Sequence, residues 1–174
     1  KEVTRVTASR IIYSTMTGTD ITLYELQETF SEILTKHKVL PFMLSTHHPK
    51  LATPIQVISG YWGRGYRCTV DKFAYLLKEA DWTWRDSIRY SQPGCETIGG
   101  TSGSPIIETG TRVVIGVSNT GNDDGKKCAM NNPCEVDESG NITFKEGHSY
   151  GQQTYIINSC VNNQGQFDLA TQGC

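Results

Sequence analysis

A serine turn that carries two glycines is the strongest constraint on how this 174-residue chain can fold. The turn is Gly-Thr-Ser-Gly-Ser-Pro, residues 100–105, and its glycines can adopt backbone angles closed to other residues, which leaves the Ser102 hydroxyl outward. Two apolar runs follow over 105–107 and 112–117, separated by a Glu-Thr-Gly turn. The pattern predicts a β-hairpin after the serine turn rather than a helix.

Most of the remaining chain also shows the short apolar runs and turn residues that are typical of β-structure. Helical character is confined to one polar connector, and all-β surroundings outweigh a weak helical propensity elsewhere. We therefore expect an all-β fold. The predicted strands lie within 1–26, 54–67, 72–90 (two strands joined near Ala80 and Asp81) and 150–157, and the helical segment is 28–36.

Six cysteines occur without a Cys-x-x-Cys pair, and histidine is scarce. This favours disulfide bonds in an oxidising compartment over a zinc site, so we predict a secreted chain, extracellular or periplasmic, without a metal or cofactor. Fifteen pairings are possible for six cysteines. Proximity in the sequence favours Cys68–Cys95, Cys128–Cys134 and Cys160–Cys174, each of which would staple a loop-rich segment.

The charges nearly cancel, with a formal net charge of -2, so neither a nucleic acid nor a membrane is expected as a partner. No apolar run approaches the length that spans a bilayer. The chain begins at Lys1 without an initiating Met, and we expect that it is processed from a longer precursor.

The serine turn resembles the nucleophile loop of the chymotrypsin/trypsin-like serine peptidases, whose common form is Gly-Asp-Ser-Gly-Gly-Pro, and serine in the fifth place is similar to bacterial members. The resemblance implies that Ser102 is the nucleophile and that the N–H groups of Gly100 and Ser102 form the oxyanion hole. Gly-Thr-Ser also opens the subtilisin motif, but Met-Ala and a helix follow there, whereas Gly103 and a β-hairpin follow here. The alternative for these residues is a plain turn without chemistry.

A second match lies at the start of the strand over 21–26. Asp20-Ile-Thr-Leu resembles the Asp-Ile-Ala-Leu-Leu motif of the trypsin-like enzymes, whose aspartate orients the catalytic histidine. The resemblance implies the same role for Asp20, and the alternative is an aspartate that caps a turn.

The resemblance also implies where substrate binds. Glu96, six residues before the nucleophile, matches the residue at the base of the family's primary specificity pocket. A carboxylate there would favour Lys or Arg, unless the side chain points outward as surface glutamates usually do. The other substrate-binding residues implied are Thr97, Ser118 and Asn119.

The family fold is a double β-barrel, and the resemblance covers its C-terminal portion. It assigns 1–45 to the end of the first barrel and the inter-barrel connector, and 46–174 to the second barrel with a disulfide-tied tail. An insertion over 119–150 is rich in Asn, Asp and Gly. We interpret it as solvated turns, because its acidic residues fit no EF-hand spacing.

The histidine loop of the family is missing. Trypsin-like enzymes carry His, Asp and Ser in that order, yet none of the four histidines precedes Asp20, and we interpret His47 and His48 as solvated loop residues. We therefore expect a secreted endopeptidase in a cleaved two-chain form that acts on polypeptides, with an N-terminal fragment of the same precursor supplying the histidine. Two alternatives stay open: a binding module that keeps the fold without turnover, and an esterase that uses the same serine.

Overall fold

The computed structural model describes residues 4–174, so the first three residues of the predicted β segment lie outside the described part of the chain. Strands dominate, which confirms the predicted all-β class. The elements are β1 (Ala8–Thr15), β2 (Ile21–Leu26), α1 (Phe30–His37), β3 (Met43–Leu44), β4 (Pro54–Ser59), β5 (Arg64–Glu79), β6 (Trp82–Tyr90), β7 (Pro105–Glu108), β8 (Val113–Gly121), β9 (Cys134–Val136), β10 (Ile142–Thr143), β11 (Ser149–Gln153) and α2 (Tyr155–Ser159).

Six strands close into an antiparallel ring. Their order is β5-β4-β7-β8-β11-β6, and β6 pairs back with β5. Closure gives every ring strand two neighbours, so the ring itself exposes no free edge. Alternate side chains of these strands fill the interior, among them Ile55, Val57, Val70, Ile88, Ile106 and Ile115.

Three short strands extend the ring. The second half of β5 pairs with β9 on its other side, and β9 in turn pairs with β10. In the connector, β3 runs parallel to β8. Helix α1 overlaps the segment predicted as helical and extends one residue beyond it, to His37. It begins at a capping box in which the Thr29 hydroxyl and the Glu32 carboxylate satisfy each other's backbone N–H groups.

Two predicted hairpins are confirmed. β5 and β6 pair up to Glu79 and Trp82, with Ala80 at φ 47° in the turn between them. β7 and β8 form the hairpin that follows the serine turn. In β5 and β6 the alternation of buried and less buried residues outweighs the local helical propensity, because these strands contribute to the core of the ring.

The predicted strand over 150–157 is wrong in its second half. β11 ends at Gln153, and the helical turn α2 begins at Tyr155. Ile156 and Ile157 do not join the ring interior, and instead line a cavity formed with the β1–β2 hairpin and the C-terminal tail. An apolar run of this length does not distinguish a strand from a helical turn that packs outside the sheet.

The hairpin of β1 and β2 is a separate two-stranded sheet. It contacts the ring through Gly18, whose N–H donates to the Thr83 carbonyl (2.9 Å) and whose carbonyl accepts the Arg85 N–H (2.8 Å). Several of its apolar side chains are solvent-exposed, including Ile11 (59%) and Tyr24 (56%). The hairpin therefore fixes the position of residues 18–21 beside the ring while leaving apolar surface open.

All three predicted disulfides are present: Cys68–Cys95, Cys128–Cys134 and Cys160–Cys174. The first joins β5 to the segment that leads into the serine turn, and the last ties back the C-terminal tail. Disulfide bonds of this kind are consistent with an oxidising environment. None of the helices within residues 4–174 has the length and apolar character needed to cross a bilayer.

Candidate active site

The serine turn is clamped to the ring. The Gly103 N–H donates to the Ser118 carbonyl (2.8 Å), and the Ser118 N–H donates to the Ser104 carbonyl (2.8 Å). Gly103 has φ 80°, a conformation that glycine adopts without strain. The Ser102 hydroxyl is accessible and donates to the Asn119 carbonyl (2.6 Å). The turn thus presents its serine beside β8, on a backbone fixed by two hydrogen bonds.

Two N–H groups of the turn are available to a ligand. The N–H groups of Thr101, Gly103 and Ser104 donate to carbonyls within the protein, whereas those of Gly100 and Ser102 have no acceptor within residues 4–174. These two are the groups that the family resemblance assigns to the oxyanion hole. Paired backbone donors of this kind can stabilise a developing negative charge.

Asp20 and Ser102 face one cavity. Its volume is about 510 Å³, and Asp20 lines it from the start of β2 while Ser102 and Ser118 line it from the ring. The Asp20 side chain is half-buried, and this burial raises the pKa of its carboxyl. The structure therefore brings together the two residues that the sequence singled out as catalytic.

None of the four histidines lines this cavity. His37 lies at the end of α1 with Nε2 3.5 Å from a Glu28 carboxylate oxygen. His148 lies beside Tyr150, where burial and the Arg89 guanidinium lower the pKa of its imidazole. His47 is an exposed loop residue, as predicted.

His48 lies in the predicted loop but has partners that sequence reasoning missed. Its Nε2 lies 3.0 Å from a carboxylate oxygen of Asp86, and its ring packs edge-on against Phe73. His48 and Asp86 are far apart in sequence, so no local pattern points to the pair. Within residues 4–174 no group of three or more His, Cys, Asp and Glu side chains could hold a metal ion.

A second, smaller cavity lies on another side of Ser102. It has a volume of about 60 Å³. Three predicted substrate-binding residues, Thr97, Ser118 and Asn119, line it. The remaining lining residues are Ile98, Gly99, Thr101, Ser102, Thr120, Gly121, Asp123 and Asn131.

The acidic residue that lines this cavity is Asp123 and not Glu96. Glu96 does not line the cavity, and its carboxylate accepts the Gly94 N–H (3.0 Å) instead. Burial, reinforced by the neighbouring Asp124, raises the pKa of Asp123. The sequence predicted a solvated turn at Asp123. The sequence signal that could have placed it at the cavity was its position just after β8, the strand that carries Ser118.

Comparison with known proteins does not assign a function to this chain. The chain matches no protein-family model, no curated protein and no solved structure. Function is carried by sites and not by a fold as such, so a function for this chain has to be argued from the arrangement of residues around Ser102.

Proposed function

We propose that this chain forms the C-terminal part of a secreted serine endopeptidase of the trypsin-like type, with Ser102 as nucleophile and Asp20 as the residue that orients the base. The observation that carries the proposal is the shared cavity of Asp20 and Ser102. A half-buried carboxylate whose pKa is raised by burial is typical of functional sites, because structural carboxylates are usually paired.

The groups around the serine define the chemistry. A base in the cavity takes the Ser102 proton as Oγ bonds to the scissile carbonyl carbon, and the same proton passes to the amine as the C–N bond breaks. Water then hydrolyses the acyl-enzyme: the base takes a proton from the attacking water and returns it to Ser102 Oγ as the acyl group leaves. The free N–H groups of Gly100 and Ser102 are the donors that would hold the oxyanion.

The base is the missing component. The cavity between Asp20 and Ser102 is large enough for an imidazole, and none of this chain's histidines lines it. We propose that an N-terminal fragment of the same precursor supplies the catalytic histidine. With the base present, the Ser102 hydroxyl would turn from the Asn119 carbonyl, which now accepts its hydrogen bond at 2.6 Å, toward the imidazole.

The β1–β2 hairpin supports the existence of such a fragment. A two-stranded sheet alone is marginally stable in water and usually requires further strands or a packed face. Here, exposed apolar side chains such as Ile11 and Tyr24 remain on the hairpin. In the proposal these residues belong to the first barrel of a double β-barrel, which the N-terminal fragment completes.

Substrate side chains are proposed to enter the small cavity lined by Thr97, Ser118 and Asn119. Asp123 gives this cavity a carboxylate, which favours a cationic over an acidic side chain by charge pairing. The substrate class is therefore a polypeptide, with the preference for Lys or Arg assigned to Asp123.

A fluorophosphonate probe tests the proposal directly. The precursor is expressed whole, matured, and compared with its Ser102→Ala variant. We expect covalent labelling of Ser102 that the variant abolishes, and turnover of a peptide amide that falls by orders of magnitude. Unfolding free energy should change by no more than about 0.5 kcal/mol, because the hydroxyl is at an exposed turn.

Adding the N-terminal fragment tests the source of the base. The isolated chain should label slowly, and mixing with the fragment should restore the rate, whereas a fragment whose histidine is replaced by alanine should not. If the mature protein with its fragment fails to label, the endopeptidase proposal is wrong.

One observation favours a second candidate, a binding module without turnover. The Ser102 hydroxyl is already bonded to the Asn119 carbonyl, as it would be in a plain structural turn. The labelling experiment separates the two functions, because a module without turnover stays unlabelled. Comparing ester with amide hydrolysis distinguishes a peptidase from an esterase that uses the same serine.

A further inference from the structure

A β-turn just before Ser102 has a central peptide with two possible orientations. The Thr101 N–H donates to the Ile98 carbonyl (3.1 Å) across the turn, and Gly100 at its third position has φ 86°. These values are typical of a type II turn. A type I turn keeps the same outer hydrogen bond but turns the central peptide over, so that its C=O and N–H change sides.

The orientation matters because the central peptide joins Gly99 to Gly100 and carries the Gly100 N–H. In the proposed function, on which this inference rests, that N–H is one of two oxyanion donors. Turning the peptide over would direct the Gly99 carbonyl, a negative dipole, to the side where the donor belongs.

Trp62 holds the Gly99 carbonyl. It lies in the turn between β4 and β5, and its indole Nε1 donates to that carbonyl at 3.0 Å. The ring also covers Gly100: a Cβ added there would lie 3.1 Å from Nε1 and 3.5 Å from two ring carbons. Trp62 therefore contacts both halves of the peptide whose orientation is in question.

We propose that Trp62 is a positioning residue that selects the type II turn and thereby fixes the Gly100 N–H for oxyanion binding. Planarity transmits the constraint, because a trans peptide whose C=O is held on one side must direct its N–H to the other. Trp62 touches no reacting atom in this scheme. It acts on the reaction only through the Gly99–Gly100 peptide.

The sharpest test removes the indole N–H and keeps the ring. Trp62 is replaced in the mature protein by benzothienylalanine, in which sulfur stands where the N–H was, and separately by Phe. We expect kcat for a peptide amide to fall about tenfold in both variants with little change in KM, since one hydrogen bond is the difference between the two turn orientations.

A readout specific to positioning accompanies the kinetics. Binding of a peptidyl boronate, which presents a tetrahedral oxyanion, should weaken by the same factor as kcat/KM. Binding of the amine-side peptide product, which places no carboxylate at the donors, should stay unchanged. Tyr61→Phe is the matched control, because Tyr61 contacts Trp62 edge-on and is 80% exposed.

A second pair of variants addresses the peptide itself. Gly100→Ala places a Cβ against Trp62 at a positive φ, and we expect a loss of about 10²-fold in kcat, the size of an oxyanion donor. Gly110→Ala carries the same backbone strain, with φ 81°, but nothing lies within 4 Å of the added Cβ. It should lower stability without lowering kcat.

The outcomes separate this inference from the proposed function. If wild-type protein labels at Ser102 while the benzothienylalanine variant has wild-type kcat and boronate affinity, the role of Trp62 is overturned and the peptidase stands. If wild type does not label at all, the proposed function fails first. Equal losses in boronate and product binding would also overturn positioning, because they indicate general damage.

Discussion

Two carboxylates of this chain, those of Glu135 and Asp20, have pKa values shifted in opposite directions. Glu135 on β9 is buried, and its oxygens lie 2.8 Å from Lys72 Nζ and 2.7 Å from Arg89 Nη1. Burial alone would raise the pKa of Glu135, but the two cations lower it. At Asp20 no cation within residues 4–174 opposes burial, and the pKa of its carboxyl is raised.

The difference indicates what each acid is for. A buried carboxylate that serves the fold must be paired, because an unpaired buried charge destabilises the protein. An unpaired acid beside a cavity can pair with a group that binds in that cavity. Under the proposed function, Glu135 serves stability and Asp20 serves chemistry, and variants at the two positions should separate accordingly.

The largest effect is expected for Asp20→Asn in the mature protein. Asparagine cannot hold the catalytic imidazole in its correct tautomer, and we expect turnover to fall about 10⁴-fold, as when a triad aspartate is replaced in this way. Steady-state hydrolysis of a peptide amide measures the loss. Unfolding of the isolated chain in urea should show no destabilisation, because the raised pKa means that ionised Asp20 is disfavoured in the folded state. Destabilisation together with a loss under tenfold would return Asp20 to a turn-capping role.

Glu135→Gln should do the opposite. It leaves the Arg89 guanidinium, 19% exposed, and the Tyr150 hydroxyl facing an amide, and we expect the free energy of unfolding to fall by about 3 kcal/mol. Turnover of the folded protein should stay near wild type. Glu25→Gln is the matched control: its ion pair with Arg10 is on the surface and should contribute less than about 1 kcal/mol. Equal effects of the two substitutions would contradict the structural assignment of Glu135.

The pH dependence of stability sharpens the same contrast. The pKa of Glu135 is lowered from 4.5 in the folded state, so its contribution is fully present above about pH 5 and is lost as pH falls through the folded pKa. The difference in unfolding free energy between wild type and Glu135→Gln should therefore shrink on acidification. The pKa of Asp20 is raised, so its charge lowers the stability of the wild type at neutral pH relative to Asp20→Asn. Protonation of Asp20 in acid removes this cost, and the difference in unfolding free energy between the two proteins should shrink there as well. Urea titrations from pH 7 to about pH 3 give both differences.

The smallest effect concerns a third carboxylate, that of Asp123. Asp123→Asn should lower kcat/KM for Lys and Arg substrates about tenfold relative to neutral ones, because the side chain is partly exposed and its charge is screened. A peptide library cleaved by the mature protein measures the preference. Glu96→Gln in the same assay decides between the two acids, since its carboxylate faces the Gly94 N–H. A shift with Glu96→Gln and none with Asp123→Asn would reverse the assignment.

Features set by local sequence were predictable. The alternation in 72–90, the glycines of the serine turn and the pairing of consecutive cysteines all follow the order of residues along the chain. The structure confirms the strands and the disulfides. The helical turn α2 was wrongly predicted as the end of a strand, because an apolar run alone does not indicate which part of the fold it packs against.

Contacts between distant segments were not predictable in the same way. Glu135 meets Lys72 and Arg89 only after β9 pairs with β5, and Asp123 reaches the cavity beside Ser102 only after β8 enters the ring. Thr97 lines the cavity and donates its N–H to the Ser149 hydroxyl of β11 (3.1 Å), whereas the Glu96 carboxylate accepts the Gly94 N–H. The positions were visible in the sequence, but their partners depend on the tertiary fold.

The closed ring has a practical consequence for handling this chain. Strands with free edges are where proteins associate by strand pairing, and the six ring strands have none to offer. The β1–β2 sheet carries two outer edges and exposed Ile11 and Tyr24. We therefore expect concentrated preparations of the chain alone to aggregate through residues 8–26, and a lysine substituted for Ile11 to raise its solubility without altering the ring.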